Sequence, residues 1–319
     1  MDEFGLRKTN FASNAILEGY CDAAIVTDIG GESRISAVKN NLVAFKSTFG
    51  LVSRYGIPMS SSSLEQVATV TKDIKQLAKI LNVIAGYDSK DSNSADIKPQ
   101  NYINGLEKSV KELKIGYIEE FVEGNEYILD IAKKYQEMGA SVSQCKLEYD
   151  KYLLATYYIL SSAETSSNLA RYDGIRYGYR TKNYKDLKDI YINSRGEGFG
   201  EEVKRRNIFG TYFLSDGNMD QYYNKANKVR TLIKRKLDEL FKEYDILLIP
   251  TVNTTYDKIT ENHPVYPYIE EKYTCIANLG GLPVLSIPYG ENKGFELIGR
   301  HYEESTVLNA AYAYKGGDE

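Results

Sequence analysis

The sequence predicts an α/β fold: a parallel or mixed central sheet flanked by helices. Two observations carry that expectation. Strand-like and helical segments alternate between residues 113 and 147, which favours a sheet with covering helices. Two short apolar runs, Ile246–Pro250 and Leu282–Pro288, read as buried strands that follow a long helical stretch.

Taken in order, residues 13 to 60 mix glycine, serine and short apolar stretches and read as strands and loops. A helix is expected after Thr71, because Ile74, Leu77, Ala78, Leu81, Ile84 and Ala85 keep helical spacing. Thr71 is the expected cap and Gly86 the expected stop. The polar run from Gly86 to Ser94 has turn composition. Leu113 to Ile118 is the first strand of the alternating segment. Ile128, Ile131, Ala132 and Tyr135 line a helix ended by Gly139, and Val142 to Leu147 is the second strand. Residues 150–245 read as mostly helical, with Val229, Ile233, Leu237, Leu240, Phe241 and Tyr244 on one stripe. Residues 246–319 return to the core sheet, where Phe295 to Gly299 is a further strand candidate. At 319 residues the chain has room for one large α/β domain or two smaller ones.

Composition narrows the function classes. A net charge of -4 argues against a broad basic face that grips nucleic acid. A mean hydropathy of -0.42 and the lack of a long uncharged apolar run argue against a membrane span, and the amino terminus has no secretory pattern. Cys21, Cys145 and Cys275 are scattered and odd in number, so neither a disulfide framework nor a zinc site is expected. A reducing cytoplasm is the default location. His263 and His301 are the two histidines; each reads as structural or solvent-exposed. No P-loop, dinucleotide fingerprint or metal-ligand cluster is present, and no cofactor is expected.

Several strings resemble the A subunit of the glutamyl-tRNA(Gln)/aspartyl-tRNA(Asn) amidotransferase, a member of the amidase signature family. They are Met1-Asp2-Glu3-Phe4-Gly5, Val52-Ser53-Arg54-Tyr55-Gly56, the run from Ala163 to Arg180, and Glu197 to Arg206. To these are added Lys228 to Ile233 and Asn278 to Pro283. The resemblance implies a single amidase-type domain over residues 1–319, a mixed central sheet flanked by helices with part of its N-terminal core missing. It also implies a family role: a glutaminase whose ammonia a partner B subunit uses to amidate mischarged tRNA, with a small C subunit bracing the pair. Contact with tRNA would then be indirect, through the B subunit. The basic sets Lys204-Arg205-Arg206 and Lys234-Arg235-Lys236 read as solvated helix faces.

Family chemistry uses a neutral lysine as base, a serine in a cis peptide as proton relay, and a second serine as nucleophile. By resemblance, the base lysine lies upstream of the Met1–Gly5 string and is expected to be absent. The glycine- and serine-rich relay loop is replaced by Leu6 to Ser13. The family's nucleophile motif, Asp-Thr-Gly-Gly-Ser-Ile-Arg, becomes Asp28-Ile29-Gly30-Gly31-Glu32-Ser33-Arg34. Glu32 holds the nucleophile position, Gly30 and Gly31 are the remnant of the oxyanion loop, and Ser33 is an alternative nucleophile through a one-residue slip. Tyr172, Arg230 and Glu271 match, by resemblance, the residues that grip glutamine; on the residues alone they read as a core tyrosine, a helix-face arginine and a polar-loop glutamate. The favoured expectation is a non-catalytic subunit or pseudo-amidase. Two alternatives stay open: an active glutaminase with unrecognised or partner-supplied groups, and a truncated relic without function.

Overall fold

The structure is a computed structural model that describes residues 11–98, 100–252 and 269–317; His263 lies outside them. In chain order the elements are α1 (Phe11–Leu17), β1 (Ala23–Asp28), α2 (Glu32–Lys39), β2 (Val43–Lys46), β3 (Gln66–Thr71) and α3 (Ile74–Ile84). Next come β4 (Lys114–Ile118), α4 (Tyr127–Glu137), β5 (Ser141–Cys145), α5 (Leu153–Leu169), α6 (Leu187–Gly198), α7 (Glu201–Leu214) and α8 (Tyr223–Glu243). The chain closes with β6 (Ile246–Pro250), α9 (Cys275–Gly280), β7 (Val284–Pro288), β8 (Gly294–Gly299) and α10 (Glu304–Tyr314).

These elements fall into two compact units. The first comprises Met1–Ile57, Gln66–Leu154 and Leu232–Glu319; the second comprises Pro58–Glu65 and Ala155–Thr231. In the first unit the described strands form one mixed sheet of order β1-β3-β2-β7-β8-β6-β4-β5. The pairings from β1 through to β6 are antiparallel, and β4 is parallel to both β6 and β5.

The period-two alternation of side chains gives this sheet two chemically different faces. Val43, Phe45, Leu285, Ile287, Phe295 and Leu297 point to one face. There they pack with Leu77 and Leu81 of α3, Ile128 and Ile131 of α4, and Val307 and Leu308 of α10. The intervening residues Lys46, Gln66, Ser286 and Glu296 are equally buried but point to the other face, beside α2. Burial of a polar group demands a partner, so this second face must carry a hydrogen-bond network. It is where the site lies.

Local structure departs from the sequence expectation in two places. Residues 13 to 60 hold helices α1 and α2 as well as strands. Ser33 through Val38 of α2 are all buried, so α2 has no polar stripe, and the periodicity that marks a surface helix is lost. The cap of α3 is Asp73 and not Thr71: the Asp73 carboxylate accepts the Gln76 N–H at 2.7 Å, while the Thr71 hydroxyl donates to the Asp73 carbonyl at 2.6 Å. The helix then stops as the backbone turns extended at Ala85.

In the second unit the serine run 60–63 is bound to α5. The Glu164 carboxylate accepts from the Ser61 hydroxyl at 3.0 Å and the Ser63 N–H at 2.9 Å. Asn168 donates to the Ser60 carbonyl and to the Ser62 hydroxyl. Helices α5 and α7 approach closely at Gly210, where an added Cβ would lie 2.0 Å from the Ser162 carbonyl oxygen.

Candidate functional site

The loop between β1 and α2 is built around a left-handed glycine. Gly31 sits at φ 113°, a region L side chains rarely occupy, and an added Cβ there would lie 2.2 Å from Thr274. The close approach has a purpose in the geometry, since the Thr274 hydroxyl donates to the Gly30 carbonyl at 2.6 Å. With its carbonyl tied down, the loop turns three successive N–H groups the other way. Those of Ile29, Gly30 and Gly31 all donate to the Glu32 carboxylate, at 3.2, 3.0 and 3.1 Å. Three convergent N–H groups form an anion-binding nest. Here the chain's own carboxylate fills it.

Glu32 remains exposed to solvent, yet protein atoms crowd its carboxylate. That desolvation, with the charge of Asp28 second, pushes its pKa upward, and the backbone donors oppose the shift. Ser33 points away from the nest: it is buried, and its hydroxyl donates to the Thr27 carbonyl at 2.8 Å. A serine engaged in this way has no base within its own hydrogen bond.

Beneath the loop lies the network that the polar sheet face requires. The fully buried guanidinium of Arg34 donates to Asp28 at 3.0 and 3.2 Å, to both oxygens of Glu296 at 2.8 Å, and to the Thr274 carbonyl and Asn278. The planar five-donor fork of arginine suits this arrangement. Asn278 in turn donates to the carbonyl and carboxylate of Asp28, and Ser286 donates to Glu296 at 2.8 Å. Burial alone would raise the Asp28 pKa, but the charge and hydrogen bonds of Arg34 win and lower it. For Glu296 burial prevails over Arg34, and its pKa is raised.

Lys46 is buried on the same face and donates to Gln66 at 2.6 Å, to the Leu282 carbonyl at 2.5 Å and to the Ser47 carbonyl at 3.3 Å. All three acceptors are neutral, and burial, followed by the charge of Arg34, lowers its pKa to about 7. The sequence singled out Gly30, Gly31, Glu32 and Ser33, and the structure places them in succession, the glycines in the loop and Glu32 and Ser33 at the start of α2. It missed Lys46, Thr274, Ser286 and Glu296. A charged residue inside the apolar run Phe295–Gly299 was the signal for Glu296.

The other sequence candidates divide between the units. Glu271 lies in the first, in a short 3₁₀ turn, Glu270–Lys272, and is buried. Tyr172 and Arg230 lie in the second. The Tyr172 carbonyl accepts from Arg195 at 3.3 Å, and Arg230 donates to the hydroxyl and carbonyl of Ser63 at 2.6 and 2.9 Å. Among the described residues no group of three His, Cys, Asp or Glu side chains is placed to hold a metal ion. No described helix is long and apolar enough to cross a membrane.

Comparison with known proteins places the fold and the family. The chain is 45% identical over 304 residues to the A subunit of a glutamyl-tRNA(Gln) amidotransferase from Caldanaerobacter subterraneus, a match covering 92% of this chain and 62% of the relative. It is 41% identical over 317 residues to the protein of the same name from Lacticaseibacillus casei, covering 96% of this chain and 66% of the relative. The chain thus spans under two thirds of the length of these relatives. A crystal structure of the glutamyl-tRNA(Gln) amidotransferase A subunit from Thermotoga maritima superposes with a TM-score of 0.76 at 32% identity, over 96% of this chain and 65% of that one. The mixed sheet flanked by helices is the fold of that structure. A family model described as Amidase matches residues 13–308, and with the match spanning nearly the whole sequence the chain belongs to the amidase family.

Proposed function

We propose that this chain is an amidotransferase A-subunit-like protein that acts as a non-catalytic subunit, a pseudo-amidase. The observation that carries the reading is the Glu32 carboxylate in the nest formed by the N–H groups of Ile29, Gly30 and Gly31. In amide hydrolysis such donors must be free for the oxyanion that develops on the substrate. A resident carboxylate at 3.0 to 3.3 Å competes for the same donors, and it replaces the hydroxyl that would attack. The one nearby hydroxyl, that of Ser33, is buried and turned to the Thr27 carbonyl.

The rest of the reading follows from relatives named as A subunits of glutamyl-tRNA(Gln) amidotransferase. The chain joins B and C subunits of an amidotransferase in the cytoplasm and meets tRNA through the B subunit. Tyr172, Arg230 and Glu271 are the residues proposed to hold glutamine, the guanidinium taking the α-carboxylate.

The test is ammonia release from glutamine by the purified chain and by a Glu32→Ser variant, each alone and with B and C subunits, together with co-purification of the three. The expected result is a stable complex and no release above background from the natural chain. Glutamine-dependent release by the natural chain would overturn the non-catalytic reading. Failure to form any complex would overturn the subunit reading.

A further inference from the structure

At the far end of the same strands lies a second feature that the amidase reading does not use. A cavity of about 680 Å³ is lined by Lys72, Lys75, Lys79 and Lys315, with Asp22, Asp73 and the apolar Val43, Ile74 and Tyr312 among its other walls. The register fixes its separation from the Glu32 loop. Thr71, the neighbour of Lys72, pairs with Ala23 and Val43, whereas Asp28 pairs with Gln66 at the opposite end of β1 and β3. Six residues of extended chain span roughly 17 Å, so the two places are distinct.

The charge balance of the cavity is unusual for this protein. Among the described residues that line it, four are lysines and two are aspartates, in a chain whose net charge is -4. One of the two carboxylates is already engaged, because Asp73 caps α3 by accepting the Gln76 N–H. Lys72, Lys79 and Lys315 form no ion pair among the described residues. Lys315 is crowded further: burial, and then the charge of Lys134, lower its pKa. Lys134 donates to the Tyr314 carbonyl at 2.8 Å. Like charges drawn from β3–α3 and from the end of α10 repel one another. A concave surface with an excess of one sign concentrates counter-ions of the other.

We propose that this cavity binds a small polyphosphate, a di- or triphosphate chain either inorganic or carried on an organic group. The lysines come from the β3–α3 segment and from the end of α10, and an ammonium on a flexible stem suits phosphate oxygens whose positions vary. A chain of two or three phosphates carries more negative charge than a single one and so answers more of these lysines at once. The inference stands apart from the amidotransferase reading and shares no residue with it.

The experiment is isothermal titration of the full chain with inorganic tripolyphosphate, with orthophosphate, ATP and a single-stranded RNA oligomer as comparison arms. Tripolyphosphate is expected to bind at one site, orthophosphate at least tenfold more weakly, with affinity falling as salt rises. A Lys72→Gln/Lys79→Gln variant should lose at least tenfold in affinity, and Lys72→Arg/Lys79→Arg should keep it; circular dichroism reports whether each is folded. Equal binding of ATP would identify the phosphate chain as the recognised part, and binding of tripolyphosphate without ATP would restrict the site to the inorganic form. No binding of tripolyphosphate, or binding that the glutamine variant leaves unchanged, would overturn the proposal. Binding of RNA with no binding of tripolyphosphate would overturn it in favour of a nucleic-acid surface.

Discussion

Arg34 and Glu296 stand 262 residues apart in the chain, yet one guanidinium nitrogen of Arg34 donates to both Glu296 oxygens at 2.8 Å. Neither side chain is exposed. This pair ties the short helix after the nest to β8 in the centre of the sheet, and Asp28 closes the other side of the guanidinium.

Removing the cation from this arrangement should be severe. Arg34→Met leaves Asp28 and Glu296 buried without their common partner. Loss of one member of a buried ion pair costs about 3–5 kcal/mol. Urea unfolding of the variant should show a midpoint lowered accordingly, or no folded baseline; a midpoint within error of the natural chain would show that water reaches the two carboxylates.

Gly31 offers a steric test of the nest. Gly31→Ala places a Cβ 2.2 Å from Thr274 at a backbone φ of 113°, so strain and overlap add, with a loss on the order of 2–4 kcal/mol. Gly196→Ala is the matched control: it lies within α6, and nothing comes within 4 Å of the added methyl. That change should stabilise by about 0.5–1 kcal/mol. Thermal unfolding of the two variants should therefore move in opposite directions.

Glu32 is exposed enough for water to replace it. Glu32→Ala frees the N–H groups of Ile29, Gly30 and Gly31, and the loss should resemble that of a helix cap, about 1 kcal/mol. Glu32→Gln keeps an acceptor and should fall between. Amide hydrogen exchange at the three residues is the direct measurement: all three should exchange faster in the alanine variant.

Lys46 predicts a pH dependence. Its folded pKa, about 7, lies below its ordinary 10.5, because burial and then Arg34 disfavour the charge. A lysine depressed on folding contributes stability that is present above about pH 10.5 and is lost as pH falls towards 7. The natural chain should therefore gain stability relative to Lys46→Met as pH is raised through that window. Parallel denaturant titrations at several pH values measure the difference, and a constant gap would mean that Lys46 stays charged in the folded chain.

The sheet was legible where apolar runs were short and bounded. Ile246–Pro250 appears as β6 with all five residues buried, and β7 and β8 fall within a residue or two of their expected positions. α2 was not legible because its buried residues include Ser33, Arg34 and Ser36, and a polar environment rewards residue types that read as loop. The nest was half legible: the glycines and Glu32 stood out together, but the direction of three N–H groups depends on the Gly31 backbone and on Thr274, 244 residues from Gly30. No local pattern encodes a contact of that span.

Strand order carries one more consequence. Among the described strands, β1, β3 and β2 form a three-stranded patch on one side, β6, β4 and β5 form a second on the other, and only the hairpin of β7 and β8 bridges them. The bridge consists of residues 284 to 299, which follow the six other described strands in the chain. Until they emerge, the nascent chain holds two separate sheets, each with an edge prepared to accept a strand, and contacts of such long sequence separation form slowly. A stop codon shortly before Val284 would thus remove the keystone of the sheet, and the protein made would be two unjoined halves awaiting a chaperone.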